Sequence, residues 1–401
     1  MPPRDPRDRV ALVGLVTSAT KRVDGEASLE ELAGLAAAAN TRVVLRLLQE
    51  RGKPDPATFL GRGKVDLLAR AASEAEVDLV IFDNELSPAQ LRELQDRLAL
   101  PVVDRTQLIL DIFARRARTR EGQLQVELAQ LKYLLPRLVG MNPALSRLGG
   151  GIGTRGPGET KLETDRRRLR ARIHSLQDAI EKVRQRRSQL RERRQKDAVP
   201  TVALVGYTNA GKTTLFNRVT GAEAAASDAL FVTLDPLVRR VRLGGRRELL
   251  ISDTVGFLSR LPHALVAAFR ATLEETVTAD LLLHVIDASA SDREQKHDAV
   301  TSVLDEVGAS AAPRLDVYNK ADLTSAEERR RLLQAEPGAL LVSAASGAGC
   351  ADLVAVIETR LHLDAQRFVV QLDLTKAEDA ERLVWLHQHG RVLRHLSLIH
   401  I

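Results

Sequence analysis

The sequence predicts an α/β protein, and three observations carry that prediction. Short apolar runs of strand length alternate with amphipathic stretches of helix length through most of the chain. One run, residues 202–205, passes directly into a glycine loop and then a helix. Two leucine-rich stripes interrupt the alternation with a pair of long helices.

We assign residues 1–115 to a small α/β subdomain. Strands are expected at 10–16, 41–48, 78–82 and 101–104. Helices are expected at 29–39, 65–75 and 87–98. The first helix is entered at Ser28 with Glu31 three residues on, the spacing of a capping box. The third is entered at Ser87-Pro88. Phe59-Leu-Gly-Arg-Gly-Lys-Val65 reads as a glycine-basic loop before a helix, either a plain connection or a phosphate contact.

Residues 116–197 change period. Leu124, Leu128, Leu131, Leu135 and Leu138 form one stripe, and Leu169, Ile173, Leu176, Ile180 and Val183 the other. Two such helices bury their stripes best against each other, as an antiparallel hairpin. Pro136 is expected to end or kink the first helix. The connecting tip has six glycines in the ten residues 149–158. It is either a flexible turn or a backbone-rich surface that approaches RNA closely, with Arg155 and Lys161 on phosphates. Arg166, Arg167 and Arg168 continue the basic face. Residues 161–196 carry 14 Lys/Arg against 5 Asp/Glu, a +9 segment in a chain that is +6 in all, so the remainder sums to −3. A polyanionic partner is one reading, and a solvated helix face is the other. With only 3% aromatic residues, such binding would rest on backbone and shape rather than base stacking.

Residues 198–364 read as a doubly wound sheet, with strands at 201–205, 237–243, 248–252, 281–286, 314–318 and 339–342. Gly206-Tyr207-Thr208-Asn209-Ala210-Gly211-Lys212-Thr213, running on into Thr214, has the order of a phosphate-binding P-loop. Its glycines let amides point at phosphate oxygens, Lys212 reaches the outer phosphates, and Thr213 ligates Mg²⁺. Asp253-Thr-Val-Gly256 ends a strand. Its aspartate supports Mg²⁺ through water, and the Gly256 amide senses the γ-phosphate. Phe231, Thr233, Asp253, Gly256 and Phe257 are the expected switch residues, with Thr233 on Mg²⁺ and Ser227 its competitor. Asn319-Lys320-Ala-Asp322 supplies a carboxylate for guanine N1 and its 2-amino group, which favours GTP over ATP. Lys320 stacks along the base, and Ser343-Ala344 offers an amide to O6. Phe257 stands where a glutamine would orient water, so slow intrinsic hydrolysis awaiting a partner is expected. Asn209 is a candidate for holding K⁺ beside the phosphates.

The single cysteine, Cys350, excludes an intrachain disulfide framework. No signal peptide and no membrane-spanning run is seen, so a cytoplasmic protein is expected; a monomer is expected as well.

On Phe59–Val65, residues 116–131, the 149–165 glycine tip, the P-loop, Thr233-Leu-Asp-Pro236 and Asp253–Phe257, residues 10–390 resemble the HflX family. The resemblance implies a Ras-like P-loop G domain preceded by the α/β subdomain and hairpin and followed by a small α+β domain. It also implies binding to the large ribosomal subunit and its rRNA, with a part in dissociating or rescuing stalled ribosomes under stress. ATP use by the N-terminal region is implied too. Alternatives are a GTPase of RNA modification or ribosome assembly, a non-catalytic GTP sensor, or an ATP-driven RNA remodeller. Two features depart from the family pattern. Leu237 and Val238 follow Pro236 where a threonine is expected first. Residues 365–401, read as a strand at 366–373, a helix at 377–388 and a strand from Gly390, make a thin C-terminal domain expected to be incomplete.

Overall fold

The computed structural model describes residues 8–18, 22–138, 157–196, 199–224, 230–231, 237–242, 248–258, 276–309, 312–361, 370, 372–373 and 376–389. Residues 1–361 form one compact unit and 362–401 a second.

The N-terminal part alternates β1 (Arg9–Val16), α1 (Arg22–Ala38), β2 (Arg42–Glu50), α2 (Arg62–Glu74), β3 (Leu79–Phe82), α3 (Pro88–Leu98) and β4 (Val102–Asp104). Its four strands are parallel, in the order β2-β1-β3-β4. Central β1 is almost wholly buried, as its unbroken apolar run requires. Ser87 caps α3 as expected: its hydroxyl accepts from the Gln90 amide, while the Gln90 side chain accepts from the Ser87 amide. The first helix differs from expectation. It is already formed at Arg22, so Ser28 and Glu31 lie inside it and are not a cap. The Ser28 hydroxyl instead donates to Asp83. The glycine-basic loop is shorter than expected, because α2 begins at Arg62, with Gly61 as its N-cap residue.

Two helices follow, α4 (Arg105–Arg116) and α5 (Arg120–Leu138), then the long α6 (Pro157–Lys196). Asp104 caps α4 by accepting from the Gln107 amide. The middle of the expected hairpin stripe is present: Leu124, Leu128 and Leu176 are buried together, with Leu131, Ile173 and Ile180 against them. Arg172 clasps Glu127 across the pair with two bonds, at 2.7 and 2.9 Å. Pro136 does not end α5, which continues to Leu138. α5 also has a second apolar face. Val126, Ala129 and Tyr133 join the core that holds Ile109 and Phe113 of α4. The first hairpin helix is thus built into the N-terminal core.

The second sheet runs β10-β9-β8-β5-β7-β6. It comprises β5 (Thr201–Val205), β6 (Leu237–Arg242), β7 (Glu248–Asp253), β8 (Leu281–Asp287), β9 (Arg314–Asn319) and β10 (Leu340–Leu341). Only β6 is antiparallel to its neighbour. Helices α7 (Lys212–Thr220), α8 (Arg293–Glu306), α9 (Ala326–Ala335) and α10 (Cys350–Arg360) complete it. Chain order reverses about β5, and ligands of open α/β sheets bind at the carboxyl ends beside such a switch point. Those ends carry Gly206, Asp253, Asp287 and Asn319. The core is continuous from the N-terminal part into this sheet, through Phe113, Phe231, Val205 and Phe257.

In the second unit, α11 (Ala377–His389) matches the expected helix, and Asp379 accepts from the Asp373 amide near its start. Val370, Leu372 and Asp373 are not in a strand, and the rest of the two expected C-terminal strands lies outside the described residues.

Leu176 is the side chain of α6 most completely enclosed by α5, at 1% exposure. Leu176→Ala is expected to lower the unfolding free energy by about 2–5 kcal/mol, read by urea titration.

Candidate nucleotide-binding site

The loop leaving β5 curls because two glycines remove steric obstacles. A Cβ on Gly206 (φ +150°) would lie 2.2 Å from the Val285 carbonyl oxygen. One on Gly211 (φ +88°) would lie 2.2 Å from the Asn319 side-chain nitrogen. The loop therefore sits hard against β8 on one side and the end of β9 on the other. Asn209 takes a left-handed conformation at φ 59° and is exposed, whereas Tyr207, Thr208 and Ala210 are buried. Thr213 and Thr214 are half-buried in the first turn of α7.

Lys212 folds back over the loop. Its ammonium donates to the carbonyls of Gly206 (3.0 Å) and Tyr207 (2.8 Å). Burial pulls its pKa down to about 8, with Asp253 working the other way. A phosphate would supply the charge that the carbonyls supply only as dipoles. The Thr213 hydroxyl donates to Asp253 at 2.7 Å, and the aspartate is fully buried. This pair of hard oxygens at the head of α7 fits Mg²⁺. Thr213 would hold the ion directly and Asp253 through water.

The segment after Asp253 lies on the loop. The Thr208 amide donates to the Phe257 carbonyl (2.8 Å), and the Phe257 amide to the Gly206 carbonyl (3.1 Å). Gly256 has no room for a side chain, since a Cβ would lie 2.9 Å from the Thr208 Cα and 3.1 Å from the Lys212 ammonium. The Phe257 ring is buried, so it presents no polar group to water. Phe231 is also buried, at φ 57°, edge-on to Phe113 of α4 with ring centroids 4.5 Å apart.

Sequence reasoning placed Asn319 at the base, and the structure shows its side chain bracing the loop as well. Its nitrogen donates to the Ala210 carbonyl (2.9 Å), and its oxygen accepts from the Ala344 amide (2.9 Å). The amide expected to meet guanine O6 is thus engaged, and the Ser343 amide donates to the Ala348 carbonyl. Lys320 is left-handed at φ 61° and pairs with Asp287 at 2.8 Å. Burial works to raise the Asp287 carboxyl, but Lys320 and Ser289 outweigh it and hold it below the usual range. Asp322 stands exposed beside them, in a short 3₁₀ turn.

Thr233, Ser227, Arg155 and the Lys161 side chain lie outside the described residues. Arg167 and Arg168 are exposed on α6, with Arg168 3.9 Å from Asp165. Arg166 is half-buried, 3.7 Å from Glu163. Sequence reasoning missed one partner of the loop altogether. The Tyr207 hydroxyl donates to Glu31 of α1, which also pairs with Arg105. The sequence marked Glu31 only as a capping-box partner of Ser28, and nothing local points to a role at the loop.

Family models match in three consecutive blocks: "GTP-binding GTPase N-terminal" over residues 26–114, "GTP-binding GTPase Middle Region" over 116–194, and "50S ribosome-binding GTPase" over 201–320. GTPase HflX of Escherichia coli K12 is 48% identical over 346 residues, 86% of this chain and 81% of its own. GTPase HflX of Caldanaerobacter subterraneus is 51% identical over 317 residues, covering 79% and 73%. The chain belongs to the HflX family of GTPases. It is accordingly a GTP hydrolase with a P-loop G domain, as the fold above shows. A GTP-binding protein from Sulfolobus solfataricus, solved with GDP, aligns at 24% identity and TM-score 0.46, over 89% of this HflX-family chain and 100% of its own. Among the described residues, no helix is long and apolar enough to cross a membrane.

Beside the loop, His284, His297 and Asp316 gather within 4.8 Å of one another. The two rings stack at 4.8 Å and 29°. In-plane lone pairs of near-parallel rings do not converge, so the cluster suits sharing the Asp316 carboxylate better than a common ion. Burial depresses the His284 pKa, against the pull of Asp316, while His297 and Arg314 depress it further.

Two outcomes follow. Gly206→Ala is expected to abolish nucleotide binding and cost about 1–3 kcal/mol by overpacking, read by fluorescent-GDP titration and thermal melts. The unfolded chain protonates His284 near its ordinary 6.5, whereas the folded chain does so only lower down. Stability is therefore lost as pH falls below about 6.5. The melting midpoint should drop between pH 7 and 5.5 more steeply than in His284→Asn.

Proposed function

We propose that this chain is a GTPase of the large ribosomal subunit that uses nucleotide-dependent switching to dissociate or rescue stalled ribosomes. One observation carries the reading: the half of the molecule that senses phosphate shares a continuous core with α4 and α5, and α5 leads into the basic hairpin. A change at Gly256 or Phe231 therefore has a packed route toward a polycationic arm suited to rRNA phosphates. The name of the model matching residues 201–320, a 50S ribosome-binding GTPase, supports the same partner.

In this reading residues 206–214 and Gly256 hold the phosphates of GTP, with Mg²⁺ on Thr213 and Thr233 and, through water, on Asp253. Asp322 reads guanine N1 and the 2-amino group, Lys320 covers the base, and Asn319 keeps the guanine side and the loop in register. The Ala344 amide reaches O6 only by sharing or leaving its bond to Asn319. Asn209, exposed at the rim, holds K⁺. Phe257 orients no water, so hydrolysis is slow until the ribosome orders the site or supplies a polar group. Arg155, Lys161, Arg166, Arg167 and Arg168 contact rRNA.

GTP turnover should rise at least tenfold when purified large subunits are added. A chain lacking residues 149–158 should keep its basal rate and lose that stimulation. Faster turnover in K⁺ than in Na⁺ is expected in the same assay. Rapid turnover by the isolated chain, or stimulation that survives the deletion, would sink the proposal.

A further inference from the structure

We propose that Glu31 is a positioning residue for GTP binding, holding the phosphate loop through the phenol of Tyr207. The proposal rests on reading residues 206–213 as the GTP loop.

Glu31 lies within α1, remote in sequence from the G domain. One carboxylate oxygen accepts from the Tyr207 hydroxyl and the other from Arg105. Arg105 is 3% exposed, and its second arm donates to Asp83 at 2.7 Å. Ser28, one turn before Glu31, donates to the other Asp83 oxygen at 2.6 Å. Two carboxylates thus share one guanidinium, and the neutral hydroxyls of Tyr207 and Ser28 help satisfy the remaining charge. A hydroxyl bound to a carboxylate with little water nearby makes a strong, directional bond. Arg105 itself is fixed at the start of α4, so the anchor for Tyr207 is rigid.

Tyr207 is where such an anchor has leverage. Its carbonyl accepts from Lys212, and its backbone bridges Phe257. Moving the ring would shift the lysine that meets phosphate and the strap that follows Gly256. The same N-terminal face grips a second G-domain segment. Phe113 of α4 packs on Phe231, and Gly34 of α1 admits Leu230, with only 3.0 Å between a Cβ there and the leucine. Glu31 thus holds the phosphate loop, while Gly34 and Phe113 hold the 230–231 segment.

The test uses the full chain with a fluorescent GTP analogue. Tyr207→Phe keeps the ring and deletes only the hydroxyl, and Glu31→Gln keeps the shape and removes the charge. Each should weaken affinity about tenfold. The double variant should be no weaker than the weaker single, because the Tyr207–Glu31 contact is already lost in either one. Turnover at saturating GTP should change less than about twofold in Glu31→Gln, so that the loss falls on KM. Tyr207→Phe leaves the Arg105 pairs intact and should melt as the unaltered chain does. It therefore decides the matter if Glu31→Gln folds poorly. Unchanged affinity in Tyr207→Phe, or losses that add in the double variant, would overturn the proposal alone. Failure of the unaltered chain to bind GTP would overturn the site reading and this proposal with it.

Discussion

Close backbone approach is the constraint on which the nucleotide site depends. Gly206 lies against the Val285 carbonyl and Gly211 against the Asn319 side chain, with no space for a Cβ at either. The loop can turn its amides inward only if the chain passes this close to β8 and β9. Strand order does the rest, because β5 lies between β7 and β8 and brings Asp253 and Asp287 to the same edge. Asn319 then locks the arrangement, bonding the loop at Ala210 and the guanine-side turn at Ala344.

The loop is held by its own parts. Lys212 satisfies its ammonium on two carbonyls, and Phe257 occupies the Thr208 amide. On the proposed reading, phosphate would have to draw Lys212 off these carbonyls, and a γ-phosphate at Gly256 would act on the adjoining Phe257 segment. A switch of this kind needs a bistable element, and the short bridge between Tyr207 and Phe257 has the size and position for one.

The N-terminal part is more than a neighbour. Its α5 has two apolar faces, one for α6 and one for α4, which makes the hairpin a rigid extension of the N-terminal core. Periodicity revealed only the face toward α6, because a 3-4 spacing reports one stripe at a time. The same limitation misassigned Ser28 and Glu31. Their spacing matches a capping box, yet α1 begins earlier and both side chains serve a buried charge cluster.

Strand positions up to residue 342, the P-loop, the Asp253 and Asn319 motifs and the paired hairpin helices were legible in the sequence because each rests on local chemistry. Residue type and spacing set glycine turns, strand ends and apolar stripes within a few residues. What the tertiary structure decided lies between distant segments. Asn319 became a brace because β9 ends beside Ala210, 109 residues away in sequence. Glu31 became the loop's anchor because α1 packs on it from 176 residues away. No local pattern encodes such pairs, since their energy arises only when folding removes water from both partners at once.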